Sequence, residues 1–444
     1  VWSVVRRNSG ATPATGATPT LDSRRDLAWF GQPRGLTILF GTEMWEKFSY
    51  YGMRAILVYY MIKALHFGVA KASLIYGLYT ALVYFTPILG GIVADRWMGK
   101  RRAVVVGGLI MAAGHFMLTF EPLFYPALAA IALGNGLYLP SLPSQIAGLY
   151  GEADPRRAGA YNVYYVGVNL GGFLAPLACG FLGETYGWHY GFAAAGIGMC
   201  LGVTVFVSGF RWLPPEPPRT PKTVSPPKRT PFTVRTALLL LATGVAVVIF
   251  RGAYEQMGNS VALWIDEDVN RHVGRFLIPA SWFQSLDPLL IFLFTPVFVW
   301  VWSRAAARGR DTAPLTRMMQ GALGLALAFA FLAAVTLDFA HLGARPSWIW
   351  PTLFITVYTA AELFILPTGL GLFARLAPRG LGATTIAAWF FAAFAGNLLA
   401  GALGTFWPRV NHAVFFGGLA ALALVAAGVL AALRRPAMAL DSTG

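Results

Sequence analysis

Long apolar stretches, each of bilayer-crossing length, alternate with short polar or basic connections along almost the whole chain. Such stretches fall at 36–62, 72–94, 103–120, 123–149, 158–183, 189–212, 234–264, 276–302, 315–337, 347–374, 382–407 and 412–433. They predict twelve transmembrane helices, because a segment surrounded by lipid must satisfy its own backbone hydrogen bonds. Between the sixth and seventh runs Leu213 to Pro231, rich in proline, lysine and arginine and unable to be helical throughout. The expected organisation is a cytoplasmic tail over 1–34, a six-helix bundle over 35–212, a cytoplasmic linker over 213–231, a second six-helix bundle over 232–435 and a short tail over 436–444.

Composition agrees with an all-α membrane protein. Hydrophobic residues make up 57% of the chain and charged residues only 12%, where soluble domains carry about 25%. The 49 glycines suit helices whose backbones approach closely. Cys179 and Cys200 both fall in predicted spans and read as inert thiols, with no disulfide, metal or redox role. The net charge of +15 would fit a nucleic-acid partner if the bases were clustered on a soluble surface. Instead most of them fall in the connections on the side of the two termini, and only Lys63, Lys71, Arg271, Arg275, Arg345 and Arg409 fall opposite. That asymmetry predicts both termini in the cytoplasm and a plasma (inner) membrane location, with no nucleic-acid role. The first 34 residues lack the apolar core of a cleavable signal and read as a mobile tail, with a short interfacial segment at Leu27 to Phe30.

The two halves carry related patterns. Leu137-Tyr138-Leu139-Pro140 resembles Phe364-Ile365-Leu366-Pro367, and Val168-Asn169-Leu170-Gly171 resembles Gly396-Asn397-Leu398-Leu399, at nearly equal separations. Duplicated halves are a transporter signature. The connection after the second span, Gly90-Gly91-Ile92-Val93-Ala94-Asp95-Arg96, and its degraded counterpart from Trp302 to Arg310 resemble the major facilitator superfamily, whose fold is two six-helix bundles. Asp95 and the bases after it are expected to clamp helix ends on the cytoplasmic side.

Charges inside the spans are the strongest functional signal, because a charge near the bilayer centre costs about 2.5 to 3.5 kcal/mol even on the lenient insertion scale. The spans hold Glu43, Glu46, Glu255, Asp287 and Glu362 against Lys47, Arg54 and Arg251. Counted by halves, the first is neutral and the second is net negative by two. Acids without a basic partner bind protons or meet a cation, which argues for proton coupling, although sodium would fill the same role. Faced across a central cavity, these charges suit a zwitterion: its carboxylate on Arg54 or Lys47, its amine on an acid opposite. Tyr50, Tyr51, Tyr84, Trp389 and Phe390 would bury varied side chains. His115, with no charged neighbour at helical spacing, reads as a hydrogen-bonded structural histidine. No GxSxG, HExxH or P-loop pattern occurs, so an enzyme is not expected.

The segment Glu43-Met44-Trp45-Glu46-Lys47-Phe48-Ser49-Tyr50-Tyr51-Gly52 closely resembles the ExxERFxYYG motif of the proton-dependent oligopeptide transporter (POT) family. Asn162 to Leu170, Tyr254 to Ser260, Ser281 to Pro288 and Glu362 to Pro367 resemble further signatures of that family. The resemblance implies a monomeric proton-coupled symporter of di- and tripeptides working by alternating access, with protons as coupling ion and no other cofactor or metal. It makes Glu43, Glu46, Lys47 and Glu255 the proton-coupling group and Arg54 with Glu255 an outer-gate salt bridge. Tyr50, Tyr51, Arg54, Tyr84, Asn169, Glu362, Trp389 and Phe390 would contact the peptide, with Glu362 receiving its amino terminus. The alternative is the same machine carrying an amino acid, nitrate or a drug-like compound; a non-transporting nutrient sensor ranks lower.

Four positions depart from the family pattern. Lys47 replaces an arginine and loses its planar fork. Leu139 stands where most members place a lysine tied to substrate carboxylate binding. Arg251 replaces a tryptophan and Asp287 an asparagine, and these two are expected to form a compensating pair or to move the missing positive charge across the cavity. The linker has no room for the two extra helices found in many bacterial members.

Overall fold

The computed structural model describes residues 28, 31–151, 154–214, 216, 234–310, 312–377 and 382–441. The tail up to residue 27 and most of the 213–231 linker lie outside them. The helices are α1 (Arg34–Lys63), α2 (Val69–Val93), α3 (Lys100–Met117), α4 (Phe124–Ser141), α5 (Arg156–Ala175), α6 (Phe181–Thr185) and α7 (Trp188–Ser208). After the linker follow α8 (Val234–Tyr254), α9 (Ser260–Glu267), α10 (Leu286–Ala307), α11 (Pro314–His341), α12 (Ile349–Arg375), α13 (Gly382–Gly404) and α14 (His412–Asp441). A wide turn at Pro176–Gly180 joins α5 to α6, and a tight one at Glu255–Gly258 joins α8 to α9, so the described residues form twelve rods.

Ten of these rods are long and apolar enough to cross a membrane. The other two are α1, which carries the Glu43 to Arg54 charges, and α3, which opens on Lys100, Arg101 and Arg102. Both are held by protein: α1 packs on α5 and α7, and α3 on α4 and α7. In the second half α8 packs on α13 and α14, and α11 on α12 and α14. The halves meet where α2 packs on α13 and α5 on α10. Missing side chains make the first contact possible, since a methyl group on Gly77 would collide with the Gly401 backbone.

Three expectations shift. The eighth span does not start at 276: Phe276–Leu277 pairs with His272–Val273 in an exposed hairpin turned by Gly274 at φ +60°. A tight turn over Ala280–Ser285 then leads into α10. Helix α14 continues to Asp441, past the expected end at 435. The clamp on the helix ends is made by Arg101, which donates to the Leu213 and Pro214 carbonyls at 2.7 Å each, whereas Asp95 is exposed and forms no ion pair among the described residues.

Candidate substrate cavity

The break between α8 and α9 builds the centre of the site. Asn259 takes φ −123°, ψ −100°, and ends the helical run. Gln256 Nε2 donates to the Gly252 carbonyl of α8 at 3.2 Å and to the Ala400 carbonyl of α13 at 2.8 Å, and buried side chains brace the break: Ser260 Oγ donates to Gln256 Oε1 at 2.7 Å and Ser73 Oγ to Asn259 Oδ1 at 3.0 Å. Irregular backbone at membrane depth is tolerated where protein supplies such partners. The break holds Glu255 at the cavity wall, 2% exposed.

Two guanidiniums share that carboxylate. Arg54 Nη2 of α1 lies 2.6 Å from Glu255 Oε2, and Arg251 Nη1 of α8 lies 2.8 Å from Oε1. Arg54 Nε also donates to the Tyr76 hydroxyl at 2.7 Å, and the Arg251 guanidinium stands 4.8 Å from the Tyr84 ring centroid. On the facing wall Thr359 Oγ1 donates to Asp287 Oδ1 at 2.6 Å. One helical turn along α12, the Glu362 carboxyl faces the Asp287 carboxyl and the Tyr254 hydroxyl.

Between these walls lies a narrow cavity of about 200 Å³, smaller than the ~300 to 1,000 Å³ usual for small-molecule sites. Tyr51, Tyr84 and Asn169 line it as expected, together with Arg54, Glu255 and Glu362. Tyr165, Tyr254, Tyr358 and Gln284 also line it and were not singled out from sequence. Tyr254 and Tyr358 stack at 4.8 Å, and Tyr165 sits one turn from Asn169, whose Nδ2 donates to the Tyr165 carbonyl at 2.9 Å. The readable signal was register: each of these tyrosines shares a helix face with, or adjoins, a charged or amide residue already chosen.

Several expected site residues lie elsewhere. Tyr50, Trp389 and Phe390 do not line the cavity. Trp389 is buried against Phe373 and slots over Gly369, where the absent side chain of α12 makes room for the indole. Tyr50 is buried beside Tyr51. Arg251 and Asp287 do not pair with each other, because Glu255 lies one turn along α8 from Arg251 and takes its guanidinium, while Asp287 turns to Thr359. His115 is fully buried on α3 with neither ring nitrogen hydrogen-bonded, so the expected hydrogen bond is not made.

The first-half cluster is likewise not neutral, since Arg54 leaves it to pair across the halves. What remains is Lys47, with Nζ 2.8 Å from Glu46 Oε2 and 3.4 Å from Glu43 Oε1. Glu46 is wholly buried, Glu43 is 2% exposed, and Glu46 Oε1 has no hydrogen-bond donor. Among the described residues the intramembrane charges therefore sort into three groups: Glu43 and Glu46 with Lys47, one acid in excess; Glu255 with Arg54 and Arg251, one base in excess; and Asp287 with Glu362, two acids and no base within ion-pair distance.

The polar contacts between the halves gather on the face opposite the chain ends. Lys63 Nζ meets Asp266 Oδ2 at 2.5 Å, Tyr59 donates to the Ala262 carbonyl at 3.1 Å, and Gln284 Nε2 to the Ala55 carbonyl at 3.2 Å. Glu184 of α6 accepts from the backbone N–H groups of Ala280 and Ser281 at 2.9 Å each and from Ser281 Oγ at 2.6 Å. A carboxylate at the start of a helical turn is a strong cap.

Twelve rods among the described residues, ten of them long and apolar enough to cross a membrane, in two packed sets around a central charged cavity define a multi-pass integral membrane transporter of the major facilitator fold. The family model described as "POT family" matches residues 101–236 and 227–416. The chain belongs to the POT family, a family of transporters rather than enzymes. It is 30% identical to the peptide transporter YePEPT of Yersinia enterocolitica subsp. palearctica serotype O:3, over 85% of this chain and 88% of that one. It is 29% identical to a di-/tripeptide transporter of Lactococcus lactis subsp. cremoris, over 94% of this chain and 98% of that one. A crystal structure of the peptide transporter POT in complex with sulfate superposes with a TM-score of 0.83 at 30% identity, covering 94% of this chain and 99% of that chain.

Proposed function

We propose that this protein imports di- and tripeptides together with protons by alternating access, as a monomer in the plasma (inner) membrane with both termini cytoplasmic. The observation that carries the reading is the opposition of two unlike walls: a pair of arginines sharing one glutamate, and a pair of carboxylates with no base. A zwitterion spans such walls with its carboxylate on the arginines and its ammonium on Glu362. The names of the relatives support peptides as that zwitterion.

Arg54 and Glu255 act as a gate in this reading. Their ion pair joins α1 to the α8–α9 break; in this reading it closes the distal side and leaves the cavity open to the cytoplasm. Protonation of Glu255, or arrival of a substrate carboxylate at Arg54, weakens the pair and lets the bundles rock apart distally. Glu43 and Glu46, with one acid in excess over Lys47, hold the coupling proton; no metal or other cofactor enters. Tyr51, Tyr84 and Asn169 line the peptide path.

Uptake of labelled di-alanine into liposomes, acid outside, tests this. Saturable accumulation that collapses with the pH gradient is expected; accumulation insensitive to the gradient would overturn proton coupling. Failure of di-alanine, with uptake of a free amino acid or nitrate, would move the substrate to the second reading, another small solute on the same machine.

A further inference from the structure

We propose that Asp287 makes the amino end of the cavity a two-carboxylate subsite, selecting peptides whose first residue carries a second positive charge. The inference rests on the peptide reading above and names the substrate class it favours.

The argument is one of charge balance. Glu255 with Arg54 and Arg251 carries one positive charge in excess, and a peptide carboxylate balances it. Asp287 and Glu362 carry two negative charges when ionised, and one peptide ammonium balances only one of them. With asparagine at 287 the account would close on an ordinary dipeptide. With aspartate one negative charge is left over, and in a water-poor cavity it is met either by a proton held between the two facing carboxyls or by a second cation that displaces that proton. A lysine, arginine or shorter diamino side chain on the first residue supplies the missing cation within reach of the α-ammonium.

The geometry leaves room for that second cation. Asp287 Oδ1 is engaged by Thr359 Oγ1, which as a hydroxyl brings no charge. Glu362 is only 9% exposed, lines the cavity, and its Oε2 has no hydrogen-bond donor. Neither carboxyl has a lysine or arginine within ion-pair distance among the described residues, and the guanidiniums lining the same cavity, Arg54 and Arg251, are both engaged by Glu255. The remaining neighbours, Tyr165, Tyr254 and Tyr358, are neutral hydrogen-bonding groups. The subsite thus presents acceptors in excess of the donors around it.

The test is competition against labelled di-alanine uptake by lysyl-alanine, alanyl-lysine and unlabelled di-alanine, in wild type, Asp287→Asn and Asp287→Glu. In wild type, lysyl-alanine should compete about tenfold better than di-alanine, a charge-assisted contact being worth roughly that factor. The ratio should fall toward one in Asp287→Asn and persist in Asp287→Glu, while alanyl-lysine, with its cation on the second residue, gains nothing from Asp287. A lysyl-alanine to di-alanine ratio equal in wild type and Asp287→Asn would overturn the proposal and leave the peptide reading intact. Absence of saturable di-alanine uptake by wild type would overturn both. Thermal stabilisation of purified Asp287→Asn by the same peptides gives the ratio independently of transport, and an unchanged ratio there also counts against the subsite.

Discussion

Two acidic clusters in this molecule differ mainly in what can reach them. Glu43 and Glu46 share Lys47 deep in the first bundle, where both residues are buried and neither lines the cavity. Asp287 and Glu362 sit on the cavity wall with no base beside them. Both hold more acid than base. Burial leaves the first cluster to protons, whereas the second lines the cavity. Access, more than charge, divides the proposed coupling site from the proposed binding site.

The sharpest way to break this comparison is Glu46→Gln, which removes the excess acid of the inner cluster while leaving the wall intact. Uptake against a gradient should be abolished, while exchange of peptide across a membrane without a gradient continues. Glu255→Gln should come next, because removing one partner of a buried ion pair costs about 3 to 5 kcal/mol, and here two guanidiniums lose their partner. The distal side should open, read as increased labelling of cysteines introduced on that face.

A smaller effect is expected from Gly77→Val, which overpacks the α2 to α13 contact at Gly401 by about 1 to 3 kcal/mol and should slow transport through incomplete distal closure. The least is expected outside the membrane, at Asp154. Its carboxylate accepts from the Arg156 guanidinium at 2.7 Å and from the Arg156 backbone N–H at 2.9 Å, which lowers its pKa below the ordinary aspartate value. A group with a depressed folded-state pKa stabilises above its unfolded pKa and loses that contribution as pH falls through the folded value. The melting-temperature difference between wild type and Asp154→Ala should therefore be small at neutral pH and vanish in acid.

The intramembrane charges were legible because an apolar background makes each one stand out, and the twelve rods because hydropathy repeats at bilayer length. Pairing was much less legible. Arg54 reads as part of the Glu43 to Lys47 face by helical spacing, yet its partner lies 201 residues away on another bundle. Arg251 and Asp287 invite a compensating pair by opposite charge, but a partner one helical turn away is closer than one on another helix. Aromatics were read least well. Trp389 carries no local sign of which helix face it occupies, and its place depends on Gly369 of the neighbouring helix. The break that holds Glu255 at the wall was not read from the sequence: Gly258 and Asn259 lie inside the apolar run 234–264, and the hydropathy on either side hides the interruption.

The central claim is that the buried excess acid beside Lys47 carries the coupling proton while the cavity wall carries the peptide. Its most direct test is to reconstitute wild type and Glu46→Gln and measure di-alanine accumulation with and without an inward-acid gradient, alongside exchange at equal pH. The account predicts gradient-driven accumulation in wild type, none in the variant, and exchange in both. Equal accumulation by the two proteins would contradict it.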